Sequence, residues 1–496
     1  MAVSTRTLQA LAATTLTLIL GYCLLVQTRT PKPFDISRLQ KILTAEHFNV
    51  TPDLEVLQQL KLPASFEYQR RCISARENDG LERESLVTLI PPMLNQEAFH
   101  AISLKEDVPV RLESTLLPPC DSSFVIEVPE YQSQAHFNTS DLVLGVATTT
   151  KRIEASLPAF SRWLSRSGSI LVVLLIDRSD LSNGTGDLER IQSQADSLDI
   201  ELIFEAYSPV VPSTSKGVEN FSLATILDKY LLADTKWFGV IDDDTFFVSL
   251  PRVLQHLQPY DPVLSWYIGS LSESHTVVAK EGFKAWGGAG FFISPPLMRT
   301  IAAHAVECAR MDRKFGDLLW RDCIQEITSP TVPLTEMPGL HQLDMEQDPS
   351  GWYEAGFDPI LSIHHWKSWH HYPAALGHLV TDVAGPDTFL QRYKSGNQTI
   401  FTNGYSIATY SQGLPDLNLV ELTMTEAPHL VRPPPQLEFH HRMGHTRPAL
   451  KLGKDKIQWR FEYAVKTTDG VVRQFYVKRS DGGRDVSIIE VDWRDV

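Results

Sequence analysis

The chain has 496 residues, of which 43% are apolar and 21% are charged. This composition is ordinary for a globular protein, and the length is sufficient for two or three domains. Its formal net charge is −15, and no basic patch or stripe appears along the sequence. These values argue against a nucleic-acid partner.

The N-terminal segment indicates a membrane anchor. Residues 8–26 contain no charged side chain, and about 20 apolar residues span a bilayer, whereas the apolar core of a cleaved signal peptide is usually about 7–15 residues long. We therefore expect a cytoplasmic tail over residues 1–6, an uncleaved signal anchor over residues 7–28 and a stem over residues 29–66. A cleaved signal peptide is the alternative.

Two features favour the lumen of the secretory pathway for the rest of the chain. Five acceptor triplets for N-glycosylation begin at Asn49, Asn138, Asn183, Asn220 and Asn397. The cysteine count is the other feature: with Cys23 inside the anchor, an even four remain, and these allow three disulfide connectivities. Proximity in sequence favours Cys72–Cys120 and Cys308–Cys323.

Residues 67–139 form an N-terminal extension that resists assignment, and a regular alternation of elements begins after it. Apolar runs typical of buried strands lie at 141–147, 169–176, 200–204 and from Trp237 onward, with helical patterns at 152–165, 187–197 and 218–232. Such alternation favours a parallel sheet with right-handed crossovers, and continuous Val/Ile/Leu runs indicate that both faces are covered. No Gly-x-Gly-x-x-Gly follows the first strand, which argues against a dinucleotide fold.

Three consecutive carboxylates, Asp242, Asp243 and Asp244, end the fourth apolar run. Adjacent anions between apolar flanks repel one another unless a counter-charge lies there, and hard oxygen ligands suit magnesium and manganese. At the carboxyl end of a parallel strand, such a cluster could hold a metal against a diphosphate. The alternative is a solvated acidic turn.

Further candidates for the site lie downstream. Gly287 and Gly288 precede an apolar strand, which indicates either a close backbone approach by a ligand or a tight turn. His364 and His365 belong to a cluster of four histidines and could supply a metal ligand, because imidazole suits manganese better than magnesium; a structural role is the alternative.

A transfer reaction also needs a base that takes the proton from an acceptor hydroxyl. Asp317 is one candidate and Asp322 is the other, while helix capping is the alternative role for Asp317. The last segment, residues 396–496, changes character. Its runs at 457–463, 471–477 and 486–491 alternate like strands, so we expect a small C-terminal β-rich domain there.

Together these residues resemble the Fringe-like β-1,3-glycosyltransferases (glycosyltransferase family 31), in particular their fungal branch, over about residues 140–375. The matching segments, in family order, are Leu144–Arg152 (nucleotide-binding strand and turn), Lys236–Asp244 (DxD metal motif), Tyr267–Gly269, Gly287–Gly290, Gly316–Cys323 (base) and Ser362–His364 (metal-binding histidine).

The resemblance implies a GT-A fold over residues 140–395, which is an α/β, Rossmann-like, mostly parallel sheet with flanking helices. It also implies a UDP-sugar donor, Mn²⁺ (or Mg²⁺), inversion at the anomeric carbon and a Golgi, single-pass type II membrane topology.

By the same resemblance, Asp244 and Asp242 would bind the metal with His364 or His365, and Asp317 would be the catalytic base. Asp242 and Asp243 would also contact the ribose or a metal-bound water. The remaining nucleotide-sugar contacts would come from Thr149, Thr150, Arg152, Gly287 and Gly288.

The predicted function is transfer of a hexose or N-acetylhexosamine from UDP to a hydroxyl of a glycan or glycoprotein, with a β-1,3 linkage, in the secretory pathway. One rival is a lumenal carbohydrate-binding or scaffold protein built on an inactive transferase-like domain. The other is a metal-dependent hydrolase that uses the acidic triplet and the histidines.

Overall fold

The computed structural model describes residue 56 and residues 59–495, apart from residues 96–97, 104–119, 121–122, 132–137, 177–184, 214, 358, 427–438, 441, 481–482 and 484. The predicted tail and anchor, most of the predicted stem, and the triplets at Asn49 and Asn183 lie outside these residues. Within the described part, no helix has the length and apolar character required to cross a membrane.

The described residues form 24 strands. In chain order these are β1 (Ser65–Asn78), β2 (Val87–Leu89), β3 (His100–Ser103), β4 (Ser123–Pro129), β5 (Leu142–Thr148), β6 (Ile170–Leu175), β7 (Leu202–Ala206), β8 (Trp237–Ile241), β9 (Phe246–Phe247), β10 (Tyr267–Gly269), β11 (Phe291–Ile293), β12 (Leu334–Glu336), β13 (Met345–Gln347), β14 (Ser362–Ile363), β15 (Arg392–Ser395), β16 (Thr399–Thr402), β17 (Ser406–Tyr410), β18 (Val420–Leu422), β19 (Met424–Glu426), β20 (Phe439–His440), β21 (Gly444–Pro448), β22 (Lys456–Lys466), β23 (Val472–Arg479) and β24 (Val486–Asp495).

The main helices of the same residues are α1 (Thr150–Leu164), α2 (Thr185–Ser197), α3 (Lys216–Phe221), α4 (Leu223–Leu227), α5 (Leu250–Leu257), α6 (His275–Glu281), α7 (Pro295–Ala303), α8 (Ala305–Ala309), α9 (Gly316–Ile327), α10 (Ser350–Tyr353), α11 (Ala374–Gly377) and α12 (Thr381–Ala384). Three 3₁₀ turns, at Asp228–Tyr230, His378–Val380 and Pro386–Thr388, complete the set.

A seven-stranded sheet with the order β12-β10-β11-β8-β5-β6-β7 forms the centre of the α/β part. Every neighbouring pair is parallel except the two that involve β11. The mixed α/β fold with a mostly parallel sheet, flanking helices and additional β-strands is therefore confirmed.

The winding of this sheet reverses between two inner strands, and the region outside the carboxyl ends of β5 and β8 is called the crevice below. From β5 the chain moves outward through β6 to β7, and then returns to place β8 on the other side of β5. The direction of winding therefore reverses between β5 and β8. In open α/β sheets, ligands bind outside the carboxyl ends of the strands at such a reversal, and Asp242–Asp244 directly follow β8.

Both faces of the sheet are buried, as the apolar runs predict. Along β5, Leu144 and Val146 belong to one hydrophobic cluster, whereas Val143 belongs to the cluster on the other face. Since successive side chains of a strand point to opposite faces, a strand covered on both sides needs an apolar residue at every position.

One predicted helix is broken in the structure. Residues 218–232 form α3, α4 and a 3₁₀ turn, with an interruption at Ser222. The Ser222 hydroxyl donates to the carbonyl of Val218 at 2.8 Å, a side-chain bond that competes with the helical backbone pattern. The prediction of a single amphipathic helix is therefore wrong.

A second, ten-stranded sheet joins parts of the chain that are far apart in sequence. It runs β2-β15-β16-β17-β22-β23-β24-β1-β3, and β4 also pairs with β1. The long strand β1 lies parallel to β24, so the N-terminal extension and the C-terminal β-rich region share one sheet. The predicted boundary at residue 395 falls at the last residue of β15, which pairs with β16.

Two disulfide bonds are present, one within the N-terminal extension and one within the α/β part. Cys72 in β1 is bonded to Cys120, with a Cα–Cα distance of 5.9 Å. Cys308 in α8 is bonded to Cys323 in α9, with a Cα–Cα distance of 5.0 Å. The second bond fixes the helix whose first turn carries Asp317.

Candidate metal centre

The acidic triplet forms a tight turn at the carboxyl end of β8. The backbone N–H of Asp242 donates to Thr245 Oγ1 at 3.0 Å, and the N–H of Thr245 donates to the carbonyl of Asp242 at 3.1 Å. Asp243 and Asp244 are buried, whereas 44% of the Asp242 side chain is exposed. The three carboxylates therefore have different environments, and Asp242 is the one at the mouth of the crevice.

His364 reaches this turn through a short strand pairing. β14 pairs antiparallel with β9, which follows the acidic triplet, and the pairing brings His364 beside Asp244. His364 Nε2 lies 2.9 Å from Asp244 Oδ1 and 3.7 Å from Asp242 Oδ2. The other ring nitrogen, Nδ1, lies 3.0 Å from the carbonyl of Gln342.

His365 approaches the same carboxylate. Its Nδ1 lies 3.9 Å from Asp244 Oδ2, and its Nε2 lies 3.2 Å from Asp344 Oδ1. Asp244, His364 and His365 each offer one ligand atom, and the three atoms lie within 4.8 Å of one another. A set of imidazole nitrogens and a carboxylate oxygen fits a divalent first-row ion such as manganese better than magnesium.

The electrostatics of this cluster follow from its burial and its pairing. Burial opposes the charge on Asp244, but His364 and His365 outweigh this effect and lower its pKa. Burial also opposes the charge on His364, yet the carboxylates of Asp244 and Asp242 raise its pKa to about 9. Although part of the Asp242 side chain is exposed, desolvation of the rest and the charges of neighbouring carboxylates outweigh the opposite effect of His364 and raise the pKa of Asp242 to about 7. In this pairing a protonated His364 is the counter-charge to Asp244, a role that a bound cation can take over.

Asp243 is engaged differently from its two neighbours. It accepts a bidentate pair from Arg152, with Nη2–Oδ1 and Nε–Oδ2 distances of 2.7 Å each, and a hydrogen bond from Thr148. Lys367 Nζ lies 3.2 Å from its Oδ1. These contacts tie the carboxyl ends of β5 and β8 together and leave little of Asp243 free to meet a ligand.

The segment after β5 lies at the rim of the same crevice. Thr149 is the N-cap of α1, and its hydroxyl accepts from the backbone N–H of Arg152 at 3.4 Å. Thr150 begins the helix. The Arg152 side chain is 61% exposed even while it is paired with Asp243, so its guanidinium lies at the surface of the crevice.

Gly287 and Gly288 lie between the triplet and the histidines. A Cβ atom at Gly288 would lie 2.3–2.5 Å from three atoms of the His364 ring. A Cβ atom at Gly287 would lie 3.3 Å from both Asp242 Oδ1 and Asp317 Oδ1. Glycine is therefore required at position 288 by the ring packed against it, and Gly287 separates two carboxylates.

The two candidate bases have different surroundings. Asp317, in the first turn of α9, accepts from the backbone N–H of Gly287 at 3.0 Å, and its Oδ2 lies 3.6 Å from Lys284 Nζ. Asp322 is paired instead with Arg313 and Arg321, at 2.6 and 2.7 Å. Asp317 thus faces the crevice across Gly287, whereas the contacts of Asp322 are with residues outside it.

Several residues of the site escaped the sequence analysis. Asp344 and Gln342 hold the far side of the two histidines, Lys367 supports Asp243, and Lys284 is fully buried beside Asp317. The available signals were local: Asp344 stands between Leu343 and Met345, and Lys284 stands in the apolar context Phe283-Lys-Ala-Trp286. Neither pattern indicates a partner.

The described glycosylation triplets differ in accessibility. Asn138 and Asn397 are exposed, and Asn397 lies in the turn between β15 and β16. Asn220 is half-buried in α3, where its side chain packs against Gly316 at the start of α9.

With this geometry in view, comparisons with known proteins give a partial match. A family model described as "Protein of unknown function, DUF604" matches residues 279–394, which include the glycine pair, Asp317 and both histidines. The Fringe glycosyltransferase of Drosophila melanogaster is 34% identical over 14% of this chain and 20% of its own length. The chain therefore matches about a fifth of that curated relative.

Solved structures give weaker similarities. The mannosyltransferase PcManGT from Pyrobaculum calidifontis, in complex with GDP-Man and Mn²⁺, has 12% identity and a TM-score of 0.29, and the match covers 42% of this chain and 57% of that one. A galactosyltransferase, LgtC, in complex with donor and acceptor sugar analogs, has 12% identity and a TM-score of 0.31, with coverages of 47% and 88%.

Proposed function

We propose that the protein is a metal-dependent, inverting glycosyltransferase that moves a hexose or N-acetylhexosamine from a UDP-sugar to a hydroxyl of a glycan or glycoprotein. One observation carries this proposal. The Asp244–His364–His365 ligand set and the carboxylate of Asp317 lie on either side of the Gly287–Gly288 turn, at the carboxyl end of β8. A transfer reaction needs a metal position for the leaving diphosphate and, next to it, a position for the base.

The ligand set supports binding of the donor diphosphate. A bound Mn²⁺ would neutralise the charge that develops on the leaving diphosphate. Mg²⁺ could do the same, although fewer of these ligands suit it. Asp244 and His364 contribute oxygen and nitrogen donors to that position, and Asp242 is close enough to His364 to contribute an oxygen from the mouth of the crevice.

The carboxyl end of β5 would take the nucleotide. The backbone N–H groups of the first turn of α1, at Thr149 and Thr150, lie at a helix N-terminus, which favours anionic groups. Arg152 holds Asp243 and presents an exposed guanidinium at the same rim. In this arrangement Asp243 acts chiefly as an anchor for Arg152 and Lys367, and Asp242 is the freer of the two carboxylates to meet the ribose.

Asp317 would accept the proton of the acceptor hydroxyl. Its side chain is 24% exposed, so an acceptor can approach it. The N–H of Gly287 and the buried ammonium of Lys284 hold the carboxylate from two sides. Asp317 would take the proton while the acceptor oxygen forms its bond to the anomeric carbon from the side opposite the breaking bond to the diphosphate, and this geometry gives inversion. General base catalysis of this kind contributes on the order of 10²–10⁴ in rate.

Secretory location and membrane attachment belong to the same proposal. Two disulfide bonds are typical of an oxidising compartment, and two exposed glycosylation triplets agree with it. The uncharged segment over residues 8–26 would anchor the chain as a type II Golgi protein with this site in the lumen.

The test is a screen of UDP-sugars against the purified lumenal part of the chain, with and without Mn²⁺ and with glycan acceptors, read by mass spectrometry. We expect an acceptor product that depends on the metal. Free sugar formed equally well without any acceptor would identify a hydrolase instead. Binding of UDP and metal without turnover of any donor would identify the inactive binding protein.

A further inference from the structure

Two consecutive histidines face the same carboxylate, although neighbours in an extended chain point to opposite sides. His364 Nε2 lies 2.9 Å from Asp244 Oδ1, and His365 Nδ1 lies 3.9 Å from Asp244 Oδ2. The alternation is broken because His365 has a φ of 56°, in the left-handed region that non-glycine residues rarely adopt. Such conformations persist where the surrounding structure enforces them, and they cluster at functional sites.

The structure also determines which nitrogen of each ring is free to bind an ion. A backbone carbonyl can only accept, so the 3.0 Å contact with Gln342 requires that His364 Nδ1 carries hydrogen. Likewise, the carboxylate of Asp344 accepts from His365 Nε2 at 3.2 Å. The remaining nitrogens, His364 Nε2 and His365 Nδ1, are the two that face Asp244.

Hydrogen bonds fix the Asp344 carboxylate in position to accept from His365 Nε2. It is buried, Ser272 Oγ donates to its Oδ2 at 2.8 Å, and Gln342 Nε2 donates to its Oδ1 at 3.1 Å. On the other side of His365, the ring of Trp369 stacks at 3.7 Å with an interplanar angle of 9°. The imidazole is therefore fixed both in its plane and in its tautomer. The Ser368 hydroxyl lies 3.0 Å from Nδ1 and also hydrogen-bonds to Asp244, so an ion bound by these two residues would take the place of its contact with Nδ1.

We propose that both imidazoles bind the same divalent ion together with Asp244, and that Asp344 is the positioning residue that presents His365 Nδ1 to it. This inference rests on the proposed function, since it concerns the ion of that site. Metal-binding histidines commonly donate their second N–H to a carboxylate or carbonyl, and loss of that partner typically weakens the metal site 10–100-fold.

A second imidazole has a consequence for the choice of ion. Magnesium prefers oxygen ligands and retains its waters, whereas imidazole suits transition metals. A site with two imidazoles should therefore bind Mn²⁺ more tightly than Mg²⁺, and the preference should shrink when one ring is removed.

The experiment counts the nitrogens bound to Mn²⁺ in the purified full-length protein by pulsed electron paramagnetic resonance, without substrate. We expect two coupled ¹⁴N nuclei in the wild type and one in His365→Ala. For Asp344→Asn, a calorimetric titration should show Mn²⁺ affinity about 10–100-fold weaker. The control is Asp382→Asn, which removes the charge of an aspartate paired with Arg162 in another part of the fold; this variant should bind Mn²⁺ as the wild type does.

A single nitrogen in the wild type would overturn the inference while leaving metal-dependent transfer intact. Wild-type affinity in a folded Asp344→Asn would overturn the role of Asp344. If the wild type bound no Mn²⁺ at all, the proposed function would fail as well. Because the nitrogen count needs only the wild-type protein, the test stands even if a variant does not fold.

Discussion

Gly288→Ala is the substitution whose effect the structure defines most sharply. The added methyl group would lie 2.3 Å from Cε1, 2.4 Å from Nδ1 and 2.5 Å from Nε2 of His364. Carbon atoms pack at about 3.5–4.0 Å, so either the ring or the backbone must move by about 1 Å. The ring cannot turn aside freely, because its two nitrogens are held at 3.0 Å by the Gln342 carbonyl and at 2.9 Å by Asp244.

The size of the effect follows from that displacement. A misplacement of about 1 Å in a catalytic arrangement can cost about 100-fold in rate, and overpacking in a well-packed interior typically costs about 1–3 kcal/mol of unfolding free energy. We therefore expect Gly288→Ala to fold with reduced stability, to bind Mn²⁺ at least about tenfold more weakly, and to turn over the donor about 100-fold more slowly.

The assay is a calorimetric Mn²⁺ titration, followed by UDP-sugar turnover and thermal unfolding of the same preparations. Gly396→Ala is the matched control: it lies in an exposed turn with a φ of 62° and has no atom within 4 Å of an added Cβ. It should lose some stability but keep full metal binding. Gly287→Ala, with contacts of 3.3 Å, should fall between the two. Normal Mn²⁺ affinity and turnover in Gly288→Ala would refute the placement of His364 as a ligand.

Three further outcomes are expected. Asp317→Asn should lower turnover by roughly 10²–10⁴ while keeping UDP binding, and Asp322→Asn should stay near wild type; a reversed order would move the base to Asp322. Because neighbouring carboxylates raise the pKa of His364 to about 9, a proton must leave before an ion binds. Mn²⁺ affinity should therefore rise about tenfold per pH unit from pH 7 towards 9, and a flat profile in calorimetry would contradict this. Replacing Cys308 and Cys323 with alanine opens a link with a sequence separation of 15 and should lower the unfolding free energy by about 3 kcal/mol in urea; an unchanged midpoint would argue against that bond.

The sequence alone determined the α/β part of the fold and the position of its acidic turn. Runs such as Leu142–Thr148 and Ile170–Leu175 are apolar at nearly every position, which a strand covered on both faces requires. Each signal lies within one element, because the periods of 2.0 and 3.6 residues are local properties of the backbone. The carboxylates after Trp237–Ile241 could be placed at a strand end for the same reason.

Only the tertiary structure decided which side chains work together. Asp244 and His364 are 120 residues apart and meet through the two-residue pairing of β9 with β14, which is too short to leave a sequence pattern. The pairing of Asp243 with Arg152 depends on the reversal of strand order beside β5. The shared orientation of His364 and His365 depends on one left-handed residue. Contacts of this kind are set by the packing of distant elements, which local periodicity does not encode.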